Sequence, residues 1–287
     1  MSYSILLAVD GSPCSRHAVR YALRRFAMAS ADSEIHLMHV NYRIPSRAAS
    51  AVGREVVDGY YRAESAKAVR PACRLLDSAG IRYRIVRAVG EPGTEISRYA
   101  KNHDIDLIVM GTHGNGTGRR LLMGSVAQSA IASSDLPVLV VRGSGKGGDG
   151  GVLVPVDGSR FTRHALNYFA DNVELYAPDG RVTLLHVSYP PQRLAISNKA
   201  AGRDYLKQTC ESVMAPARRR LAKAGIKCRE VALTGDPGDQ IAAYARRWKP
   251  ELILMGSHGR TAMTELFLGS VTQKALSGTR TAFLIVR

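Results

Sequence analysis

The sequence predicts two α/β domains, each a doubly wound parallel sheet of five strands covered by helices on both faces. Three observations carry that prediction. The chain repeats itself: SILLAVDGSPCSRHAVRYAL at 4–23 matches GVLVPVDGSRFTRHALNYFA at 151–170, pairing Asp10 with Asp157 and His17 with His164. Each half alternates short apolar, β-branched runs with longer segments of helical period. The fourth run of each half then opens into one glycine spacing, LIVMGTHGNGTGRRLLMGS at 107–125 and LILMGSHGRTAMTELFLGS at 252–270.

In the first half, 5–9 is a short buried strand ended by Asp10-Gly-Ser-Pro, where Ser12 or Ser15 can cap a helix running to about Ala29. A second strand spans 35–40, and a loop with Pro45 and Gly53 follows. A long helix covers 54–79, stopped by Gly80. The third strand is 83–89; Gly90-Glu-Pro-Gly turns into a helix to about Asn102. The fourth strand, 107–110, enters the glycine loop; Ser125 opens a helix to Ser133, and Pro137 leads into the last strand, 138–141. The second half repeats this with strands at 152–156, 182–187, 227–233, 252–255 and 283–286. Runs that are apolar throughout imply sheets covered on both faces, and right-handed crossovers then make each a doubly wound sandwich. The boundaries read as domain 1 at 1–143, a glycine-rich linker at 144–150 and domain 2 at 151–287.

Composition removes several classes. No run reaches the roughly 18 apolar residues of a membrane span, and the start lacks a basic segment with a long apolar core, so the expectation is a soluble, cytoplasmic chain without a membrane partner. Cys14, Cys73, Cys210 and Cys228 form no CxxC pair, which argues against a metal site or a disulfide framework. The formal charge of +16 invites a nucleic-acid reading. The charge is spread, however: 19 Lys and Arg against 12 Asp and Glu in 1–143, and 20 against 11 in 151–287. With no basic tail and no aromatics interleaved at Arg218–Arg220, a nucleic-acid partner is disfavoured.

Ligands of such sheets bind beyond the carboxyl ends of the strands, where the strand order reverses. Asp10 and Asp157 end strand one, Val40 and Val187 end strand two, and the glycine loops end strand four. These features meet on one edge of each sheet. Gly111 and Gly114, like Gly256 and Gly259, are expected to turn with positive φ and let the backbone approach a ligand. Gly124-Ser125-Val126 and Gly269-Ser270-Val271 stand at helix starts, whose free N–H groups hold phosphate. Each aspartate can bond a ribose or base, help hold a metal ion, or simply close an Asx turn. His113 and His258 in the loops, and His39 and His186 beside the valines, suit ligand orientation or structure better than catalysis. Arg119 and Arg120 can reach a terminal phosphate or sit on the surface. The chain has no GxxxxGK[ST] loop, no GxGxxG after strand one and no GxSxG elbow.

A strand ending in Asp, the pattern G-x2-G-x9-G-[ST], a G-[ED]-P turn and a terminal apolar strand together resemble the universal stress protein family, in a tandem form with two fused Rossmann-like domains. The resemblance implies strand order 3-2-1-4-5 and an adenine nucleotide, ATP with Mg2+ as an optional companion, at this edge. Carried over position by position, the first site takes Asp10, Val40, Gly111, His113, Gly114, Gly124, Ser125 and Val126. The second takes Asp157, Val187, Gly256, His258, Gly259, Gly269, Ser270 and Val271, with Arg260 inside its loop. Members often carry proline two residues before the aspartate; Pro155 keeps it, whereas Ala8 departs, which favours the second site slightly. The resemblance also implies pairing through the last strands, as a pseudo-dimer of the two halves with a homodimer as a further step. The expected role is an ATP-binding stress-response regulator; the alternatives are a slow ATP hydrolase or phosphotransferase, or a basic scaffold for nucleic acid or acidic partners.

Overall fold

The computed structural model describes residues 3–26, 33–112, 123–143, 148, 150–189, 199–257 and 268–287, with 199–205 described by backbone alone. The chain divides into two compact units, 1–146 and 147–287.

The first unit contains β1 (Ser4–Ala8), α1 (Pro13–Phe26), β2 (Glu34–Asn41), α2 (Ser46–Val52), α3 (Arg54–Ser78), β3 (Tyr83–Val89), α4 (Pro92–Asn102), β4 (Leu107–Gly111), α5 (Ser125–Ser133) and β5 (Val138–Val141). Its strand order is β3-β2-β1-β4-β5. Every pairing is parallel, with Ala8 opposite Met38 on one side and Met110 on the other. Strands β4 and β5 are buried from Leu107 to Met110 and from Val138 to Val141, as continuous apolar runs demand. β3 alternates between half-buried and exposed, because it lies at the sheet edge.

The second unit contains β6 (Val152–Pro155), α6 (Arg160–Asp171), α7 (Val173–Tyr176), β7 (Val182–Ser188), α8 (Lys199–Lys223), β8 (Cys228–Thr234), α9 (Pro237–Trp248), β9 (Leu252–Gly256), α10 (Ser270–Gly278) and β10 (Ala282–Val286). Its order is β8-β7-β6-β9-β10, again parallel throughout.

Sequence reasoning missed α2 and α7. The stretch read as a loop between Pro45 and Gly53 folds as α2, which buries none of its residues. Its apolar positions show no buried stripe, so periodicity could not mark it. Pro45 at its N-cap and Gly53 at φ 84° confine it to seven residues. α1 ends at Phe26, and residues 27–29 of the expected helix lie outside the described residues. Most of the predicted linker, 144–147 and 149, also lies outside them. The Gly150 N–H donates to the Lys249 carbonyl at 3.2 Å, tying the linker's end to the close of α9. Among the described residues, no helix is long and apolar enough to cross a membrane.

Candidate functional site

The strand order reverses at β1, which has β2 on one side and β4 on the other. The loops leaving β1 and β4 therefore depart in opposite directions and open a crevice between them. Asp10 closes the β1 loop: its Oδ1 accepts the Ser12 N–H at 2.9 Å, an Asx turn. Gly11, at φ 77°, gives the left-handed step that this turn needs. A Cβ on Gly11 would also meet the Ala68 Cα at 3.2 Å, since α3 crosses directly over the turn. Sequence reasoning passed over Gly11 and its counterpart Gly158, also at φ 77°; the repeated Asp-Gly-Ser was the available signal.

Gly111 corrects one expectation. It is the last residue of β4 and does not adopt positive φ. Glycine is needed because a Cβ would stand 2.8 Å from the Cys14 carbonyl carbon and 3.0 Å from the Cys14 Cβ and O. The constraint is packing of α1 on β4, not approach to a ligand. Gly256 repeats it against Phe161, at 2.8, 2.9 and 3.0 Å from the same three atoms.

Both loops close on a backbone bond. The Gly124 N–H donates to the Thr112 carbonyl at 2.7 Å, and the Gly269 N–H to Ser257 at 2.8 Å. His113, Gly114, Arg119 and Arg120 in the first loop, and His258, Gly259 and Arg260 in the second, lie outside the described residues. Beyond the closure, Gly124 is the N-cap of α5, extended at φ −65° and ψ 152°, without a side-chain cap. The first-turn N–H groups of α5 thus have no helical acceptor and carry the positive end of the helix dipole. α10 begins in the same way after Gly269, at φ −56° and ψ 144°.

In the first unit these pieces surround one cavity of about 790 Å³. It brings together Ala8, Asp10, Val40, Gly111, Gly124, Ser125 and Val126, seven of the residues singled out from the sequence. It adds a wall that sequence reasoning missed: Tyr42–Pro45 after β2, and Tyr60, Glu64 and Lys67 on α3. Two hydrogen-bonded tethers set that wall, the first of them buried. Asn41 Nδ2 donates to the Ser65 Oγ at 2.7 Å, and the Ile44 N–H donates to the Tyr61 hydroxyl at 2.8 Å. With Tyr61 and Ser65 turned toward β2, Tyr60, Glu64 and Lys67 share the neighbouring face of the helix. Burial raises the Tyr42 phenol pKa, and the Glu91 carboxylate adds to the effect.

His39 also lines the cavity, but its Nδ1 meets the Val9 carbonyl at 2.8 Å and pins β2 to the end of β1. His186 does the same to Val156 at 2.8 Å, with its Nε2 2.9 Å from the Ser188 Oγ. Both histidines have a structural task.

The second unit places Pro155 in β6, Asp157 just beyond it, Val187 near the end of β7, Gly256 at the end of β9, and Gly269, Ser270 and Val271 at the start of α10. Asp157 is more heavily engaged in its own turn than an Asx motif requires. Its Oδ1 accepts the Ser159 N–H at 2.9 Å and the Thr162 hydroxyl at 2.5 Å. Thr209 and Ser212 hold the α8 positions that match Glu64 and Lys67, counted from the shared Pro-Ala at 71–72 and 216–217.

Comparison with known proteins agrees with this architecture. The sequence profile of the universal stress protein family matches residues 1–142 and again 151–287. A universal stress protein of Mycolicibacterium smegmatis is 26% identical over 99% of this chain and 97% of its own length. One from Methanocaldococcus jannaschii is 30% identical over 48% of this chain and 81% of its own. Among solved structures, a universal stress protein from Archaeoglobus fulgidus superposes with a TM-score of 0.72 at 21% identity, covering 100% of this chain and 99% of that one, a likeness of fold. Two copies of the family's α/β domain in one polypeptide, each with its Asp-Gly-Ser turn and glycine loop, make this chain a tandem member of the universal stress protein family.

Proposed function

We propose that the first half binds an adenine nucleotide, ATP in preference to smaller ligands, and that the chain is a cytoplasmic stress-response regulator rather than a dedicated enzyme. One observation carries the reading. A cavity of about 790 Å³ joins the Asp10 turn, the end of β2 and the uncapped start of α5. That volume lies within the ~300–1,000 Å³ of small-molecule sites. The chemistry of its lining fits a nucleotide. The N–H groups of α5 suit phosphate oxygens. The backbone beyond Val40 offers donors and acceptors to a base edge. Asp10 and Glu64 are carboxylates within reach of a ribose diol or of a Mg2+ ion carried by the phosphates. The Nδ1 of His39 meets the Val9 carbonyl, which fixes the orientation of the ring at the cavity wall. The second half repeats the aspartate, the valine and the uncapped helix start, and its site belongs to the same proposal. A homodimer is the assembly expected in solution, measurable by light scattering.

The test is to denature freshly purified protein and identify any released nucleotide by chromatography. ATP or ADP at about one or two per chain supports the reading. Protein that releases none and takes up none in equilibrium dialysis overturns it. Steady-state turnover, measured in parallel, separates a regulator from a slow hydrolase.

A further inference from the structure

We infer that Lys67 on α3 makes the first-half site selective for nucleotides with a phosphate chain, so that the two halves of this chain differ in ligand preference. The inference rests on the nucleotide reading above and deepens it.

Lys67 lines the cavity, one residue from Ala68, whose Cα lies against Gly11 of the Asp10 turn. Its helical neighbours on that face, Tyr60 and Glu64, line the cavity as well, so three successive positions of one stripe face the same space. Among the described residues, neither Lys67 nor Glu64 forms an ion pair. Some cations elsewhere are held by carboxylates: Arg218 meets Glu211 and Glu230, and Lys274 meets Asp236 and Asp239. A flexible ammonium at a cavity wall without an internal partner is available to an anionic ligand.

The repeat supplies an internal comparison. The backbone features that would hold phosphate are common to both halves: an uncapped helix start after Gly124 or Gly269, and the closing bond to Thr112 or Ser257. The α3 stripe is not. Ser212 replaces Lys67, and its hydroxyl donates to the Thr209 carbonyl of its own helix at 2.8 Å. Thr209 in turn replaces Glu64. The first half therefore sets a mobile cation beside its ligand where the second half sets a neutral hydroxyl. A cation acts on ligand charge, so its effect grows from adenosine through AMP to ATP.

Photoaffinity labelling with 8-azido-ATP, followed by mass spectrometry of the labelled peptides, reads each half separately in the full chain. Competition by ATP, AMP and adenosine then gives apparent affinities for each site. In the first half, Lys67→Ser is expected to weaken ATP competition about tenfold and adenosine less than twofold. Arg70→Ser, an exposed cation of α3 outside the cavity lining, should leave both within twofold. Ser212→Lys should strengthen ATP competition at the second half without moving adenosine. Equal losses for ATP and adenosine in Lys67→Ser, or equal effects of Lys67→Ser and Arg70→Ser, overturn the inference while the nucleotide reading stands. Absence of any protectable labelling in the wild-type chain removes the nucleotide reading itself. Far-UV circular dichroism of Lys67→Ser separates loss of fold from loss of charge.

Discussion

Replacing Gly111 by alanine tests whether the first glycine of the repeated loop spacing is a packing residue. An added Cβ would lie 2.8 Å from the Cys14 carbonyl carbon and 3.0 Å from its Cβ and oxygen. Carbon atoms pack comfortably at ~3.5–4.0 Å, so α1 and β4 must separate by roughly 0.5–1 Å. Two of the three opposing atoms are backbone, and no rotamer change relieves them. Overpacking of this kind costs about 1–3 kcal/mol. At about 2–4 °C per kcal/mol for a unit of this size, the first unit should melt roughly 2–12 °C lower. Gly256→Ala applies the same strain against Phe161 at 2.8 Å, and Trp248, the sole tryptophan of the sequence, reports that unit by fluorescence. Gly59→Ala is the control. It lies inside α3 with nothing within 4 Å of a Cβ, and alanine there should stabilise by about 0.5–1 kcal/mol. Melting of Gly111→Ala at the wild-type temperature, followed by circular dichroism, would refute the packing argument.

Three further outcomes follow from the same structure. Asn41→Ala removes a buried bond of 2.7 Å to Ser65 and unties α3 from β2; a cost of about 1–3 kcal/mol in urea titration is expected, together with weaker nucleotide binding, and an unchanged midpoint would contradict it. Burial, and next the Arg84 guanidinium, lower the His36 pKa in the folded state. The stability that goes with a neutral His36 is complete above the unfolded value of about 6.5 and is lost as pH falls from there through the lowered folded value. His36→Thr, the residue found at the matching Thr183, should flatten stability between about pH 7 and 5, and slopes that coincide with the wild type would exclude His36 as their source. Asp236 caps α9 by accepting the Asp239 N–H at 3.0 Å, so Asp236→Ala should cost about 0.5–2 kcal/mol in the second unit, with Trp248 fluorescence as the readout.

The duplicated pattern made the sheet order legible, because a repeat with apolar strands and helical connections leaves few topologies. The cavity's base was legible for the same reason: Asp10, Val40 and Ser125 lie at strand or helix ends that the topology must bring together. The α3 wall was not. Tyr60, Glu64 and Lys67 sit in a mixed polar helix, and their shared direction comes from the Asn41–Ser65 and Ile44–Tyr61 bonds, which no local period records. Gly111 was assigned the wrong physical task for a related reason. A glycine at a strand end can serve φ, a ligand or a neighbouring helix, and only the packed position of Cys14 decides among them. Asp157 shows the converse: the Asx turn left open by the sequence is formed, and Thr162 strengthens it.

The central claim is that phosphate is held by the start of α5, and Ser125→Pro tests it most directly. Gly124 at φ −65° and ψ 152° is already in the region that a residue before proline prefers, and proline is well suited to the first helical position. The substitution thus keeps the helix but removes one of the N–H groups proposed to hold phosphate; Ser125→Ala removes only the hydroxyl. Isothermal titration of nucleotide-free chain with ATP should show the first-half site weakened by about 10–100-fold in Ser125→Pro, the value of a hydrogen bond to a charged group. The melting temperature should stay near the wild type. Wild-type ATP affinity in a folded Ser125→Pro chain would contradict the account.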